Sequence, residues 1–188
     1  MYTDYTIMTA HRPLVREVNA VFDFIEKPYT PVNFKELLVS PNDMRKRLIA
    51  LINKEIKNKE QGKDAYILAK VNHITDRALI EKLYEASAAG VKIELVVRGN
   101  CSLVPGVPGV SENIHINGII DRYLEHSRIF IFANAGEERY YIGSADWMPR
   151  NLDNRIEVLA PVYDKEIQAD LKRIVCYGFQ DTAKGRIV

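Results

Sequence analysis

His126 lies in the run Tyr123-Leu124-Glu125-His126-Ser127-Arg128, just ahead of an apolar stretch that reads as a strand. In an extended chain, residues two apart face the same side, so the His126 imidazole and the Arg128 guanidinium are expected to lie together. Such a pair suits phosphate chemistry. An arginine can grip two phosphate oxygens, and an imidazole can attack phosphorus or move a proton. About one strand later comes Gly143-Ser144-Ala145-Asp146-Trp147, small residues that could let backbone N–H groups and the Ser144 hydroxyl approach an anion. Spacing alone still favours the plainer reading of an exposed strand-end histidine beside an ordinary turn.

Other residues frame this segment. Arg98, Arg122, Arg128, Arg150 and Arg155 fall at or near predicted strand ends, where open α/β sheets place their ligands. Glu157 follows Arg155 by two residues and shares its face, which reads equally as a structural ion pair or as a site pair. His11, His73 and His115 have no metal-ligand spacing with another His or Cys and read as solvated or merely satisfied. Tyr2, Tyr5 and Trp147 are candidates for stacking on a base, each more readily placed in the core or at a rim.

The elements that would position these residues alternate. Pro13 opens a helix whose apolar face is Leu14, Val15, Val18, Val21, Phe22 and Ile25. A short strand follows over 35–39. Ser40-Pro41-Asn42-Asp43 reads as a helix start, with Ser40 as cap and Met44, Leu48, Leu51, Ile52 and Ile56 inward. Then come a strand over 65–71, a helix capped by Thr75 or Asp76 and stopped at Gly90, and a strand over 91–97. Beyond a Pro/Gly-rich loop over 105–109, strands are expected over 114–119, 128–132, 140–142 and 155–160, the middle two as a hairpin turning at Asn134-Ala135-Gly136. A closing helix spans 164–179. The expectation is one α/β domain over 1–188, a mixed sheet with helices on both faces.

Composition narrows the class. The chain has 188 residues, 47% hydrophobic and 27% charged, as an ordinary globular domain does. No apolar run is long enough to cross a bilayer, and no signal peptide is visible. The net charge is +1, so any polyanion site must gather its positive charge locally. Cys101 and Cys176 read as buried free thiols of a reducing cytoplasm. Met1 stands directly before Tyr2-Thr3-Asp4-Tyr5 with no lead-in element, so a continuation upstream is expected.

Several long motifs together resemble one family. They are Tyr2-Thr3-Asp4-Tyr5, Phe24-Ile25-Glu26-Lys27-Pro28-Tyr29, Leu38-Val39-Ser40-Pro41, Val97-Arg98-Gly99-Asn100-Cys101-Ser102-Leu103, Asp121-Arg122-Tyr123-Leu124-Glu125-His126, and the stretch from Ser144-Ala145-Asp146-Trp147-Met148-Pro149-Arg150-Asn151 through Arg155-Ile156-Glu157-Val158. Nearly the whole chain is similar to the last domain of the type 1 polyphosphate kinases. The resemblance implies a phospholipase D-like fold. It implies an enzyme that reversibly moves the γ-phosphate of ATP onto inorganic polyphosphate, with two C-terminal domains each giving half of one site. The phosphorylated histidine belongs to the preceding domain. His126 matches the second histidine, a general acid or base and phosphate contact. Tyr2 matches the residue that stacks on adenine, with Asp4 beside it. Arg98 and Arg155 match phosphate-holding residues, Glu157 shares the pocket, and Arg122 and Arg128 are expected to bind phosphate as well.

Two positions depart from the phospholipase D pattern of His-x-Lys and Gly-Ser-x-Asn: Arg128 takes the lysine place and Asp146 stands where asparagine would. Hydrolysis of the phospholipase type is therefore disfavoured. The resemblance further implies ATP or ADP as substrate and Mg²⁺ held mainly by ATP and the missing domain, with no ligand set assigned here. It also implies polyphosphate and the preceding domains as partners, and a homo-oligomeric, cytoplasmic full-length protein whose peripheral membrane association is left open. Nucleic acid is not an expected partner. The isolated chain is expected to be inactive. Two alternatives stand beside this reading: a phosphodiesterase or nuclease that completes its site by dimerising, with His126 as nucleophile, and a non-catalytic polyphosphate-binding module.

Overall fold

The computed structural model describes residues 2–29 and 31–187, apart from the side chains of Tyr2 and Ile187. In chain order the elements are β1 (Tyr2–Thr3), α1 (Arg12–Glu26), β2 (Leu38–Ser40), α2 (Met44–Glu60), β3 (Tyr66–Val71), α3 (Arg77–Ala88), β4 (Lys92–Val97), β5 (Ile114–Ile119), β6 (Leu124–Glu125), β7 (Arg128–Phe132), β8 (Arg139–Gly143), β9 (Glu157–Val162), α4 (Lys165–Gln180) and β10 (Gly185–Ile187). Eight strands form one mixed sheet in the order β10-β5-β4-β3-β7-β8-β9-β2, and β1 pairs with β6 apart from it.

β3, β4 and β5 run parallel. β7 enters antiparallel to β3, with Lys70 opposite Ile129, and β8 and β9 continue antiparallel. Strand alternation divides the apolar residues between two layers. Ile67, Ala69 and Val71 of β3, with Phe130 and Phe132 of β7, face α2 and α3 through Met44, Leu48, Ile52, Leu79 and Leu83. Leu68, Ile129 and Ile131 turn the other way onto Leu171 and Val175 of α4. The expected mixed sheet with helices on both faces is what the chain forms.

The helix ends show which local signals hold. Asp76 caps α3, its Oδ1 accepting the Leu79 N–H at 3.0 Å, and Asp164 caps α4 by accepting from Glu166 and Ile167. The start expected at Ser40 is not used. The helix begins at Met44 after Asp43, whose side chain makes no capping bond. Ser40 belongs instead to β2, paired with Glu157. Its buried hydroxyl lies 2.8 Å from the Asn151 carbonyl and accepts the Glu157 N–H at 3.1 Å, so the β2–β9 ladder outcompetes the cap.

The apolar face expected of α1 divides. Leu14 and Val21 pack on Phe34, Leu37 and Val39, whereas Val15, Val18, Phe22 and Ile25 are exposed. α1 rests on a small cluster at the β2 edge, which covers only a narrow strip of it. Glu17 ties it there by accepting the N–H groups of Lys35, Glu36 and Leu37 at 2.7 to 3.1 Å. Neither the β1–β6 pair nor β10 was expected from the sequence. The first of these matters for the site.

Candidate active site

The carboxyl ends of β3, β4 and β8 and the amino ends of β7 and β9 meet at one edge of the sheet. A cavity of about 350 Å³ opens there, lined by His73, Arg98, His126, Arg128, Ser144, Asp146, Met148, Arg150, Asn151, Arg155 and Glu157. Four guanidinium groups face two carboxylates. In a chain of net charge +1, this is a local excess of positive charge.

His126 is fixed from several sides. Its N–H donates to the Thr3 carbonyl at 3.0 Å, continuing the β1–β6 pair. Its carbonyl accepts from Arg128 Nη1 at 3.0 Å and from Asn72 Nδ2 at 3.3 Å. Nδ1 of the ring lies 2.9 Å from Asp4 Oδ2. Burial pushes the Asp4 carboxyl up, but the His126 hydrogen bond and the Tyr5 N–H outweigh it and hold the group below the usual carboxylate range. An ionised Asp4 can only accept, so Nδ1 carries the proton and Nε2 becomes the basic nitrogen of the neutral ring. Arg128 Nη1 stands 3.1 Å from both ring nitrogens. A point equidistant from both at that range lies over the ring face, not along a lone pair.

Arg128 was expected to grip phosphate with its fork. The structure gives the fork to Asp146: Nε donates to Oδ1 at 3.2 Å and Nη2 to Oδ2 at 3.0 Å, in a pair whose side chains are 9% and 6% exposed. Such burial is tolerable only because charge and hydrogen bonds are both matched. Asp146 Oδ1 also accepts the Asn72 N–H at 2.8 Å, locking the turn after β3. The two departures from the phospholipase D pattern, Arg128 and Asp146, are therefore partners.

The Gly143–Ala145 segment was expected to offer donors to an anion. Ser144 does line the cavity, but its N–H is taken by the Val158 carbonyl at 3.1 Å, and its hydroxyl accepts the Val158 N–H at 3.3 Å. A Cβ on Gly143 would meet the Val158 oxygen at 1.9 Å, so this glycine serves the close approach of β8 and β9. Trp147 is wholly buried and stacked on Phe130 at 5.3 Å, a core residue and not a stacking platform. Tyr5 is exposed. The Tyr2 ring lies outside the described residues.

Among the remaining arginines, Arg98 donates Nε to Asn72 Oδ1 at 2.6 Å and points into the cavity's lining. Arg155 is half exposed and stands 4.0 Å from Glu157, whose Oε1 is held instead by Asn151 Nδ2 at 2.7 Å. Arg98 and Arg150 make no ion pair among the described residues. Arg122 does not line the cavity; it lies over the ring of its neighbour Tyr123, 5.9 Å away. The structure thus gathers Asp4, Arg98, His126, Arg128, Arg155 and Glu157, and leaves Arg122 apart.

The family described as Polyphosphate kinase C-terminal domain 2 matches residues 37–188. The chain belongs to that family. It is 50% identical to the polyphosphate kinase of Vibrio vulnificus strain YJ016 over 186 residues, 99% of this chain and 27% of that protein. Identity to the polyphosphate kinase of Escherichia coli K12 is 45% over 188 residues, 100% of this chain and again 27% of the other. The crystal structure of polyphosphate kinase from Porphyromonas gingivalis superposes with a TM-score of 0.92 at 42% identity, covering 96% of this chain and 28% of that one. Nuc, a phospholipase D family member from Salmonella typhimurium, gives 0.57 at 12% identity over 81% of this chain and 96% of its own. That likeness shows a shared fold.

The chain spans 27% of the length of these curated polyphosphate kinases. Asp4 comes from the segment ahead of the residues matched to the polyphosphate kinase domain, yet reaches His126 through the β1–β6 pair. Sequence reasoning missed several residues of the site. His73, which reads in the sequence as solvated or merely satisfied, lines the cavity, and its Nδ1 accepts the Asn100 N–H at 2.9 Å. Gly99 makes room for that ring, since a Cβ there would sit 2.4 Å from His73 Cε1. Asn72 and Asn151 hold Arg98 and Glu157. The available signal was position: His73 follows β3 directly, at the same sheet edge as Arg98.

Proposed function

We propose that this chain supplies half of the active site of a polyphosphate kinase, which transfers the γ-phosphate of ATP reversibly to inorganic polyphosphate through a phosphohistidine on the preceding domain. The observation that carries this reading is the Asp4–His126 pair opening onto a cavity walled by four arginines. Phosphoryl transfer needs positioning and charge neutralisation above all. Arg98, Arg150 and Arg155 neutralise and orient phosphate oxygens. His126, with Nδ1 turned to Asp4, exchanges a proton or contacts a phosphoryl oxygen through Nε2. Arg128 holds the ring and keeps that edge of the cavity positive.

Mg²⁺ does not fit this cavity as a protein-held ion. Asp146 is bound to Arg128 and Glu157 to Asn151, and no group of three His, Cys, Asp or Glu side chains placed to hold a metal ion occurs among the described residues. The metal of the proposed reaction enters with ATP and the preceding domain. The proposal includes a homo-oligomeric full-length enzyme and a cytoplasmic setting. Both cysteines are free thiols, and no described helix is long and apolar enough to cross a membrane.

Replacement of His126 by alanine in the full-length polypeptide tests the reading. General acid–base contributions are about 10²–10⁴-fold, so ATP-dependent polyphosphate synthesis is expected to fall by roughly that factor. Full activity in His126→Ala would remove the histidine from the mechanism. Phosphodiester hydrolysis by the purified chain, lost on the same substitution, would favour the nuclease reading instead.

A further inference from the structure

Lys70 is a charged residue that the proposed site does not use and the core does not need. It lies on β3, one of the central strands, and is 5% exposed. Strand alternation puts it on the face of Leu68, which packs with Ile129 and Ile131 toward α4. Its ammonium reaches Ser127 Oγ at 2.7 Å and Glu125 Oε2 at 3.2 Å. Those two residues flank His126. Burial pushes the Lys70 ammonium down from its ordinary range, and Glu125 partly restores it. A hydrophobic residue at this position would pack more cheaply than a desolvated ion.

The geometry points to Lys70 as a positioning residue for His126. It clamps the residues before and after the histidine onto the main sheet, so that the imidazole is presented at the cavity. β6 is only two residues long and pairs with β1 alone, outside the eight-stranded sheet. Lys70 adds a side-chain anchor on either side of the histidine to the contacts that the His126 backbone and ring already make. Lys70 lies on β3 and Asn72 in the turn that follows it. Lys70 fixes the side chains on either side of His126, and Asn72 donates to its carbonyl. The charged groups that face Lys70 are Glu125, Asp4 and Arg128, the last two in direct contact with the His126 ring.

This inference rests on the half-site reading and is tested in the full-length enzyme with Lys70→Met, Lys70→Arg, Ser127→Ala and Glu125→Gln, with His126→Ala alongside. A displacement of about 1 Å can cost on the order of 10²-fold, so Lys70→Met is expected to lower kcat by roughly 10–100-fold while KM for ATP stays within about twofold. Lys70→Arg is expected to recover part of the loss, since it keeps the charge and the donors. Ser127→Ala and Glu125→Gln should each lower kcat in the same direction by a smaller factor. An unchanged kcat in Lys70→Met, or a loss confined to KM, overturns the inference. If Lys70→Met does not fold, unchanged kcat in both Ser127→Ala and Glu125→Gln overturns it equally. An active His126→Ala would instead sink the half-site reading itself.

Discussion

At the scale of single residues, the site is built from pairs whose members each need the other. Asp4 sets the proton on Nδ1 of His126, and Asp146 fills the fork of Arg128. Asp4→Asn removes the obligate acceptor and permits the other tautomer. The expected result in the full-length enzyme is a kcat lower by about 10²–10⁴-fold with the fold retained, measured by polyphosphate synthesis. Because the folded Asp4 carboxyl titrates below its usual range, its contribution is fully present above the usual carboxylate range and is lost as pH falls through the lowered value. Acid inactivation near neutrality is therefore not expected to come from Asp4. Arg128→Met leaves Asp146 buried and unpaired, at a cost of roughly 3–5 kcal/mol, to be read from chemical denaturation. His126 and Arg128 were legible as a pair because two residues on a strand share a face. The Asp146 partner was not legible, since nothing in a sequence says which of two nearby strand ends meet.

At the scale of elements, the sheet holds the site through close packing between neighbouring strand ends. Gly143 lies where β8 and β9 approach too closely for any side chain, so Gly143→Ala is expected to disrupt their pairing and displace Arg155 and Glu157 at the start of β9. Trp147, stacked on Phe130, fixes the loop that carries Asp146, and its carbonyl accepts the Thr75 and Asp76 N–H groups. Trp147→Ala should cost about 3–5 kcal/mol, measured by denaturant unfolding. The long strands and the α3 cap, which the sequence offers as Thr75 or Asp76, were legible because periodicity and local cap chemistry agree there. Two things were hidden. The sequence around Ser40 looks like a cap, but a strand pairing with residues more than a hundred positions away wins. The β1–β6 ribbon has two residues per strand, too few for any alternation to register, although it is what brings Asp4 to His126.

At the scale of the whole molecule, a chain with a net charge of +1 concentrates four arginines on one cavity. Polyphosphate binding is accordingly expected to weaken steeply with added salt, as counterions compete for the polyanion, and Arg98→Ala should flatten that dependence in a salt titration. The fold class was legible from the alternation of strands and helices, and the arginines from their places at strand ends. Their convergence needed coordinates, and Arg122, which reads like the others in sequence, lies apart from the cavity. The central claim is that this cavity is half of a site. The most direct measurement compares ATP-dependent polyphosphate synthesis by the purified 188-residue chain, shown to be folded by a cooperative melt, with synthesis by the full-length polypeptide at equal concentration. The account predicts activity in the longer protein and none above background in the folded chain alone. Sustained synthesis by the isolated, folded chain would contradict it.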